Sequence, residues 1–371
     1  MKNICGCLFA PRYLRKWPDI GQFRRVSGSG PHLANMWPAA VGGEVETALG
    51  GPVQLGKIES SALDDTVFSA AVRPETAVRP DTKVRPDCLV RPIVTDGRAE
   101  VSFKAAHHPG QPSALNHLFY RDPMKMLFPR PQPGDISQAV LVTTSGGMVG
   151  GDQLAFSGRA GENTQLQLTA QAAEKVYRSL GPDGKMTVDL TADDGAWLEW
   201  LPQETILFDG ARLRRTTSVS VTGSGRVLAG EMMVFGRLAR GEVFAHGLAR
   251  EAWDVALEGR PIWRDALHLD GDILRVLDHR ASFNGARASA TAIFTGRGAE
   301  NQLEVARECL KGAAQQGDAV LAAATAMTNI VIVRWLAVEP MRLRSAYGAW
   351  WAMFRHKVNH LPARLPRMWE I

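Results

Sequence analysis

The chain has 371 residues, 45% hydrophobic and 22% charged, which is typical of a globular protein that buries a core. Its net charge of +5 arises from 43 basic and 38 acidic residues that are interspersed along the chain, and no stretch is as apolar as a membrane-spanning helix. With no signal-peptide pattern, and with four cysteines that match neither a zinc site nor a disulfide framework, we expect a cytoplasmic protein that binds neither nucleic acid nor membranes.

Residues 1–98 differ in composition from the rest of the chain. They are rich in Gly, Pro and Ser, and they contain four consecutive hexads, VRPETA, VRPDTK, VRPDCL and VRPIVT. Proline at every sixth position excludes a helix or a central strand. We therefore expect a low-complexity, disordered or extended N-terminal extension. Two interpretations stay open for it, a docking arm and a dispensable segment.

Residues 99–371 alternate apolar and polar residues in the way that is typical of β-strands. In NTQLQLTAQ, for example, Leu166 and Leu168 fall on one face of a strand, and the glutamines between them fall on the other. Such segments are separated by turns that contain Gly, Asp or Pro, which favours antiparallel pairing. The segments are AEVSFKA, QAVLVTT, NTQLQLTAQ, KMTVDLT, AWLEWL, TTSVSV, RVLAGEMMVF, REAWDVAL and DILRVL.

Two helices are expected near the C-terminus. Apolar residues recur at helical spacing in residues 301–316, which a glycine follows, and again in residues 340–358, which start with Pro340. Between these helices, AVLAAATA and NIVIVRWLAV are predicted to be buried strands. The predicted fold class is therefore mainly β, a multi-stranded antiparallel or β-helix-like sheet domain with a few helices towards the C-terminus.

The stretch LVTTSGGMVGGDQL, residues 141–154, contains four glycines. A phosphate-binding P-loop needs a lysine and a helix after its glycines, and this stretch has neither. The spacing also differs from the GxGxxG of a dinucleotide-binding fold and from the GxSxG of a nucleophile elbow. We therefore predict a glycine-rich reversal between two β-strands, after which Asp152 either caps the turn or lines a cavity.

Five blocks of the sequence resemble, in their order and spacing, the urease accessory protein UreD family, also called UreH. They are SGGMVGGDQL, AAEKVYRS, LEWLPQETILFDGA, FGRLARGEVFAHG and the closing LPRMW, and the resemblance covers about Glu100 to Trp369. It implies a mainly β protein that is not an enzyme but a scaffold chaperone for nickel delivery. The implied partners are the urease apoprotein, UreF and, through UreF, the GTPase UreG. The implied cargo is Ni²⁺ in transit, with no tightly bound cofactor.

The resemblance also implies an internal polar passage for Ni²⁺. Asp152 in the GGD turn, Glu231 in GEMM and Asp265 in IWRDAL match the acidic positions of the family. Glu174 is included with them, although the family pattern carries a small polar residue at its place. Carboxylates suit a passage because they hold nickel weakly, whereas thiolate and imidazole would trap it. The β domain contains a single cysteine, Cys309, on an expected helix.

Two other classes of function stay open at this point. One is a hydrolase that uses a carboxylate pair such as Glu199 and Glu204, although the sequence shows no order of residues typical of a catalytic triad. The other is a β adaptor that clamps urease and UreF without conducting metal. Trp350 and Trp351, on the apolar stripe of the last helix, belong either to the core or to a docking surface for UreF.

Overall fold

A computed structural model of the chain describes residues 94–106, 111–314 and 319–369. The VRP hexads lie outside the described residues, as do three of the four cysteines. The first strand begins at Asp96, slightly ahead of the boundary between residues 98 and 99 that the composition indicates. None of the helices in this part of the chain combines the length and the apolar character that a membrane-spanning segment needs.

The described residues form seventeen β-strands and three α-helices. The strands are β1 (Asp96–Lys104), β2 (Ala114–Arg121), β3 (Met124–Leu127), β4 (Ser137–Thr143), β5 (Gln153–Ala160), β6 (Gln165–Ala170), β7 (Glu174–Val176), β8 (Gly184–Ala192), β9 (Trp197–Leu201), β10 (Thr205–Leu207), β11 (Arg212–Val221), β12 (Arg226–Phe235), β13 (Leu248–Leu257), β14 (Arg260–Asp270), β15 (Ala288–Thr295), β16 (Val320–Met327) and β17 (Ile330–Ala337). The helices are α1 (Ile273–Asp278), α2 (Leu303–Ala314) and α3 (Pro340–Asn359). The predicted mainly β class, with a few helices towards the C-terminus, is confirmed.

The strands form two sheets, and the chain alternates between them. Sheet A has the order β14-β13-β11-β8-β5-β1-β2, and the main path of sheet B is β16-β17-β15-β12-β9-β6-β4-β3. Strands β5, β8, β11 and β13 belong to sheet A, whereas β6, β9 and β12, which separate them in sequence, belong to sheet B. Each passage through both sheets therefore adds one strand beside the previous one, as in a β-solenoid. The β-helix-like part of the prediction is confirmed.

The direction of strand pairing follows from this path. Central pairs such as β5–β8, β8–β11 and β6–β9 are parallel. The antiparallel pairs that the turn spacing favours occur towards the margins, for example between β1 and β2, β13 and β14, and β15 and β17. The reason is that a hairpin turn joins sequential strands within one sheet, whereas most turns of this chain lead to the other sheet.

The alternating apolar residues build the core between the sheets. In β8, Met186, Val188 and Leu190 are buried, while the residues between them face solvent. Phe156 of β5 stacks on Trp200 of β9 with ring centroids 5.0 Å apart, and this contact joins sheet A to sheet B. Sheet A thus has one buried and one exposed side, which is why its central strands β5, β8 and β11 follow a two-residue period.

Helices α2 and α3 cover the outer side of sheet B. Trp350, Trp351 and Phe354 of α3 are fully buried, and the Trp350 ring lies 5.2 Å from that of Trp335 in β17. Trp350 Nε1 also donates a hydrogen bond to the carbonyl of Ala306 in α2 at 3.0 Å. The two tryptophans are therefore core residues rather than a docking surface for a partner.

Most elements near the C-terminus lie where the sequence predicts them. Helix α3 begins at Pro340, and α2 falls within residues 301–316. The interpretation of DILRVL as a strand is wrong, because Asp272 caps a helix there by accepting a hydrogen bond from the Arg275 amide at 3.2 Å. AVLAAATA forms β16, but the expectation that this strand is buried is wrong, because it is the last strand on its side of sheet B.

Candidate functional site

The glycine-rich stretch, named the glycine link (residues 144–152), joins β4 of sheet B to β5 of sheet A. It is a crossing between sheets rather than a reversal between neighbouring strands. The Met148 amide donates to the Lys175 carbonyl at 2.7 Å, and the Met148 carbonyl accepts from the Tyr177 amide at 2.8 Å. A Cβ at Gly147, where φ is +144°, would lie 2.5 Å from the same Lys175 carbonyl. Glycine is needed there because the link passes directly against β7.

Asp152 ends the glycine link and caps it. Its carboxylate is buried and accepts hydrogen bonds from the Val149 amide at 2.8 Å and from the Thr95 amide at 3.0 Å. The second bond ties the link to the residue that precedes β1. Of the two interpretations left open by the sequence, the hydrogen bonds favour the turn cap.

A cavity of about 170 Å³ lies beneath the glycine link. Ser145 at its rim is exposed, whereas Arg215 and Glu231 are buried, so the cavity extends from the surface into the space between the sheets. Its polar lining consists of Thr143, Ser145, Gln171, Glu174, Lys175, Gln203, Thr205, Arg215 and Glu231. Two of the four acidic residues singled out in the sequence, Glu174 and Glu231, therefore line a single cavity.

Arg215, Glu231 and Glu251 form a buried charged cluster, named the Arg215 triad. They belong to β11, β12 and β13, so the triad joins both sheets. Arg215 Nη1 lies 2.7 Å from Glu231 Oε2, and Arg215 Nη2 lies 3.2 Å from Glu251 Oε1. Glu231 Oε1 also accepts hydrogen bonds from Trp200 Nε1 at 3.0 Å and from Thr217 Oγ1 at 3.2 Å. These contacts provide the partners that a carboxylate buried in an apolar strand requires.

Part of the hydrogen-bonding capacity of the triad is unused. Within the described part of the chain, three buried atoms make no hydrogen bond: Nε and Nη2 of Arg215 and Oε1 of Glu251. Nη2 and Oε1 are close enough for an ion pair, but their contact lacks hydrogen-bond geometry. Burial opposes the charge of Arg215, but the attraction of Glu231 and Glu251 outweighs burial and holds the pKa of Arg215 above its ordinary value. The guanidinium therefore stays charged inside the core.

Tyr347 of α3 approaches the triad from the other side of sheet B. Its buried hydroxyl occupies the place where a Cβ on Gly230 would stand, and Gly230 directly precedes Glu231 on β12. Burial raises the pKa of Tyr347 well above its ordinary value, and the charges of Glu231 and Glu251 add to this effect. The hydroxyl is therefore protonated, and it too lacks a hydrogen-bond partner among the residues described.

The close approach of Tyr347 to Gly230 gives a first testable prediction. Gly230→Ala is expected to lower the free energy of unfolding by about 1–3 kcal/mol, because the new methyl group meets the tyrosine hydroxyl. Tyr347→Phe removes that hydroxyl, so the double variant should recover most of the loss. Chemical denaturation of both single variants and of the double variant measures the coupling. Additive effects would contradict the contact.

Glu174 stands at the start of β7, on the cavity wall. Burial raises the pKa of Glu174 to about 7, and the charge of Asp152 contributes to the rise, while a hydrogen bond with Thr143 and the charge of Lys175 oppose it. Near neutral pH this carboxyl is therefore only partly ionised. As a result, the charge of the cavity varies with pH.

The raised pKa of Glu174 predicts a pH dependence of stability that Glu174→Gln removes. The ordinary pKa of 4.5 rises to about 7 in the folded chain, so folding favours the protonated form. This contribution to the free energy of unfolding is complete below the ordinary pKa and is lost as the pH rises through about 7, by about 3 kcal/mol. In urea denaturation, the variant should therefore gain stability relative to the wild type between about pH 5 and pH 8. A difference that stays constant with pH would refute the raised pKa.

Asp265 lies apart from the cavity, on β14 at one edge of sheet A. Its carboxylate pairs with Arg334 of β17 at 2.5 Å, and both side chains are partly exposed. This ion pair connects the two sheets at the surface. The structure therefore brings Glu174 and Glu231 together, and it places Asp152 in a turn cap and Asp265 in a surface ion pair.

Sequence reasoning missed Arg215 and Glu251 as members of the site. In β11, Leu213 and Val219 mark the inward face, and Arg215 falls on that same face. A charged residue on the apolar face of an alternating strand is the sequence pattern that identifies Arg215. The same signal identifies Glu231 in β12.

The carboxylates Glu199 and Glu204 have separate structural partners. Glu199 is fully buried on the helix side of sheet B and pairs with Arg355 of α3 at 2.9 Å. Glu204 pairs with Arg344 of the same helix at 2.5 Å. Since each carboxylate is held by its own arginine, the two do not form the acid and base of a hydrolase.

Cys309, a potential strong metal ligand, lies away from the cavity. It is buried in α2, and burial raises the pKa of its thiol to about 11. A protonated thiol is a poor metal ligand. Over residues 94–106, 111–314 and 319–369, no group of three or more His, Cys, Asp or Glu side chains is positioned to hold a metal ion.

Fold and site together define a two-sheet β-solenoid scaffold with a partly acidic cavity beneath a glycine-rich crossing. Comparison with known proteins assigns this scaffold to a family, since the profile described as "UreD urease accessory protein" matches residues 95–370. Urease accessory protein UreD of Magnetococcus marinus is 46% identical over 275 residues, which cover 74% of this chain and 94% of the relative. The UreD protein of Granulibacter bethesdensis is 38% identical, and the match covers 66% of this chain and 99% of the relative. The UreD protein of a Methylobacterium species is 37% identical, and the match covers 74% of this chain and 95% of the relative.

The chain belongs to the UreD family of urease accessory proteins. The family acts in urease maturation as a non-catalytic chaperone, so this chain is not an enzyme and its partners are related to urease. The hydrolase alternative is thereby excluded.

Proposed function

We propose that the chain scaffolds nickel delivery from a UreF/UreG complex into the urease apoprotein, and that the ion passes through the cavity beneath the glycine link. One observation carries the proposal: Glu174 and Glu231 line a single cavity that runs from exposed Ser145 to the buried Arg215 triad. The proposal includes UreF, UreG and the urease apoprotein as the partners between which nickel moves.

The chemistry of the lining favours transfer of a divalent cation over its retention. Carboxylate and water oxygens hold nickel less tightly than thiolate or imidazole does. Glu174, with its pKa of about 7, carries only part of its charge near neutral pH. Glu231 is already paired with Arg215. An ion in the cavity therefore meets weak ligands and keeps part of its hydration shell.

The experiment that tests the proposal neutralises both acids of the cavity. In the double variant Glu174→Gln and Glu231→Gln, we expect the complex with UreF and apo-urease to form, while nickel content and urease activity after activation fall at least about tenfold, since cation attraction is lost. Nickel is measured by mass spectrometry, and assembly by size-exclusion chromatography.

Asp265→Asn is the matched control, because it also removes one carboxylate but lies outside the cavity. It should leave nickel content unchanged. If the double variant loads nickel normally, the passage does not exist and the chain is an adaptor that clamps urease and UreF without conducting metal. If the double variant does not assemble, the two acids are structural, and the proposal for this cavity fails.

A further inference from the structure

The buried end of the cavity contains the positively charged guanidinium of Arg215. Arg215 and Glu231 line this end, and Arg215 lies between Glu231 of sheet B at 2.7 Å and Glu251 of sheet A at 3.2 Å. Two facing carboxylates without an intervening charge would chelate a divalent cation. With the guanidinium in place, its positive charge opposes that chelation.

The unused hydrogen-bonding atoms set Arg215 apart from a purely structural arginine. Buried polar atoms in folded proteins almost always have partners. Four polar atoms of this cluster make no hydrogen bond within the described residues: Nε and Nη2 of Arg215, Oε1 of Glu251 and the hydroxyl of Tyr347. All four belong to side chains that are at least nine-tenths buried. The guanidinium is therefore held through Nη1, by Glu231 and by a hydrogen bond to Thr205 Oγ1 at 2.8 Å, whereas its contact with Glu251 lacks hydrogen-bond geometry.

The Arg355 cluster on the other side of sheet B provides a comparison. Arg355 is also fully buried, but its Nε bonds Glu199 at 2.9 Å, its Nη2 bonds Asp135 at 2.8 Å and its Nη1 bonds the Pro362 carbonyl at 2.8 Å. Every guanidinium nitrogen of Arg355 thus has a partner, as expected for a structural ion pair. Arg215, which faces the cavity, does not follow this pattern.

We propose that Arg215 is the residue that prevents the passage from retaining nickel. By pairing with Oε2 of Glu231 and Oε1 of Glu251, it competes with the divalent cation, and its contact with Glu251, which lacks hydrogen-bond geometry, lets the guanidinium give way as the ion passes. This inference rests on the proposed passage, and it assigns to Arg215 a positioning role for weak, transient binding.

The test measures nickel retention by the full chain itself, without urease. Metal-free wild type, Arg215→Met and Arg215→Lys are titrated with NiCl2 by calorimetry, and nickel that remains after gel filtration is counted. Arg215→Met is expected to bind nickel at least about tenfold more tightly than the wild type and to keep it through the column. Arg215→Lys keeps the charge and should release nickel as the wild type does. Equal retention by Arg215→Met and wild type would overturn the inference.

A second variant keeps the inference testable if Arg215→Met does not fold. Glu251→Gln is nearly isosteric and leaves Arg215 paired with Glu231 alone, so the buried end of the cavity becomes more positive and repels the ion. We expect urease to acquire nickel at least about tenfold more slowly with this variant, while assembly with UreF and apo-urease is unchanged. Nickel acquisition at the wild-type rate would overturn the inference.

The two proposals fail separately. Normal loading by the Glu174→Gln and Glu231→Gln double variant refutes the passage. Defective loading by that double variant, together with unchanged nickel retention in Arg215→Met, refutes only the role of Arg215.

Discussion

Replacement of Arg355 by methionine is expected to lower the free energy of unfolding by about 3–5 kcal/mol. Arg355 is fully buried between Glu199 and Asp135, and these two carboxylates outweigh the effect of burial and raise the pKa of Arg355. Without the guanidinium, Glu199 is left as an uncompensated charge in an apolar layer. Urea denaturation monitored by tryptophan fluorescence measures the loss.

Two controls separate the effect of the buried charge from that of lost packing. Arg334→Met breaks the partly exposed pair with Asp265 and should cost less than about 1 kcal/mol. The double variant Arg355→Met and Glu199→Gln removes both buried charges, so it should be more stable than Arg355→Met alone. If Arg355→Met and Arg334→Met cost the same, the buried network does not stabilise the helix layer.

Asp152→Ala is expected to lower the free energy of unfolding by about 3 kcal/mol. The change removes two hydrogen bonds to a charged acceptor and leaves the amides of Val149 and Thr95 without a partner. Asp152→Asn keeps one acceptor oxygen and should lose about half as much. Denaturation of both variants gives these values, and a loss below about 0.5 kcal/mol for Asp152→Ala would contradict the role of Asp152 as a cap.

Asp152→Asn also tests how the charge of Asp152 affects the pKa of Glu174 in the cavity. The charge of Asp152 is, after burial, a further cause of the raised pKa of Glu174. Removing that charge should lower the pKa of Glu174 from about 7 towards its ordinary value of 4.5. The pKa can be followed by NMR of the glutamate side chain. An unchanged pKa would mean that burial alone sets it.

The individual strands could be predicted from the sequence because burial on one side of a sheet imposes alternation. Met186, Val188 and Leu190 show this in β8. The pairing direction could not be predicted in the same way. Whether a turn closes a hairpin or leads to the other sheet depends on contacts far apart in sequence, such as the stacking of Phe156 on Trp200. The local alternation of apolar and polar residues therefore predicts the strands, whereas long-range packing determines that they pair as a solenoid.

The candidate site could be predicted only in part for the same reason. An acid amid the apolar residues of β12 indicates that Glu231 needs a partner, but the partner, Arg215, comes from the other sheet. Asp265 is a second acid that the resemblance implies for the passage, yet a residue 69 positions away, Arg334, binds it at the surface. The difference between a cavity acid and a surface acid arises from the partner, which the local sequence does not contain.

A bulky label attached reversibly at the rim of the cavity tests whether nickel passes through it. Ser145, which is exposed and lines the cavity, is replaced by cysteine in a chain whose four native cysteines have been substituted, and a bulky methanethiosulfonate reagent is attached. Gln153→Cys, exposed on the outer side of β5, carries the same label as a control. Assembly with UreF and apo-urease is verified for each labelled protein.

If nickel passes through this cavity, labelling at position 145 lowers the nickel content and activity of urease at least about tenfold, and a reductant that releases the label restores both. The label at position 153 should have no effect. If the assembled complex loads nickel at the unlabelled rate with position 145 plugged, nickel does not pass beneath the glycine link, and the proposed passage is refuted.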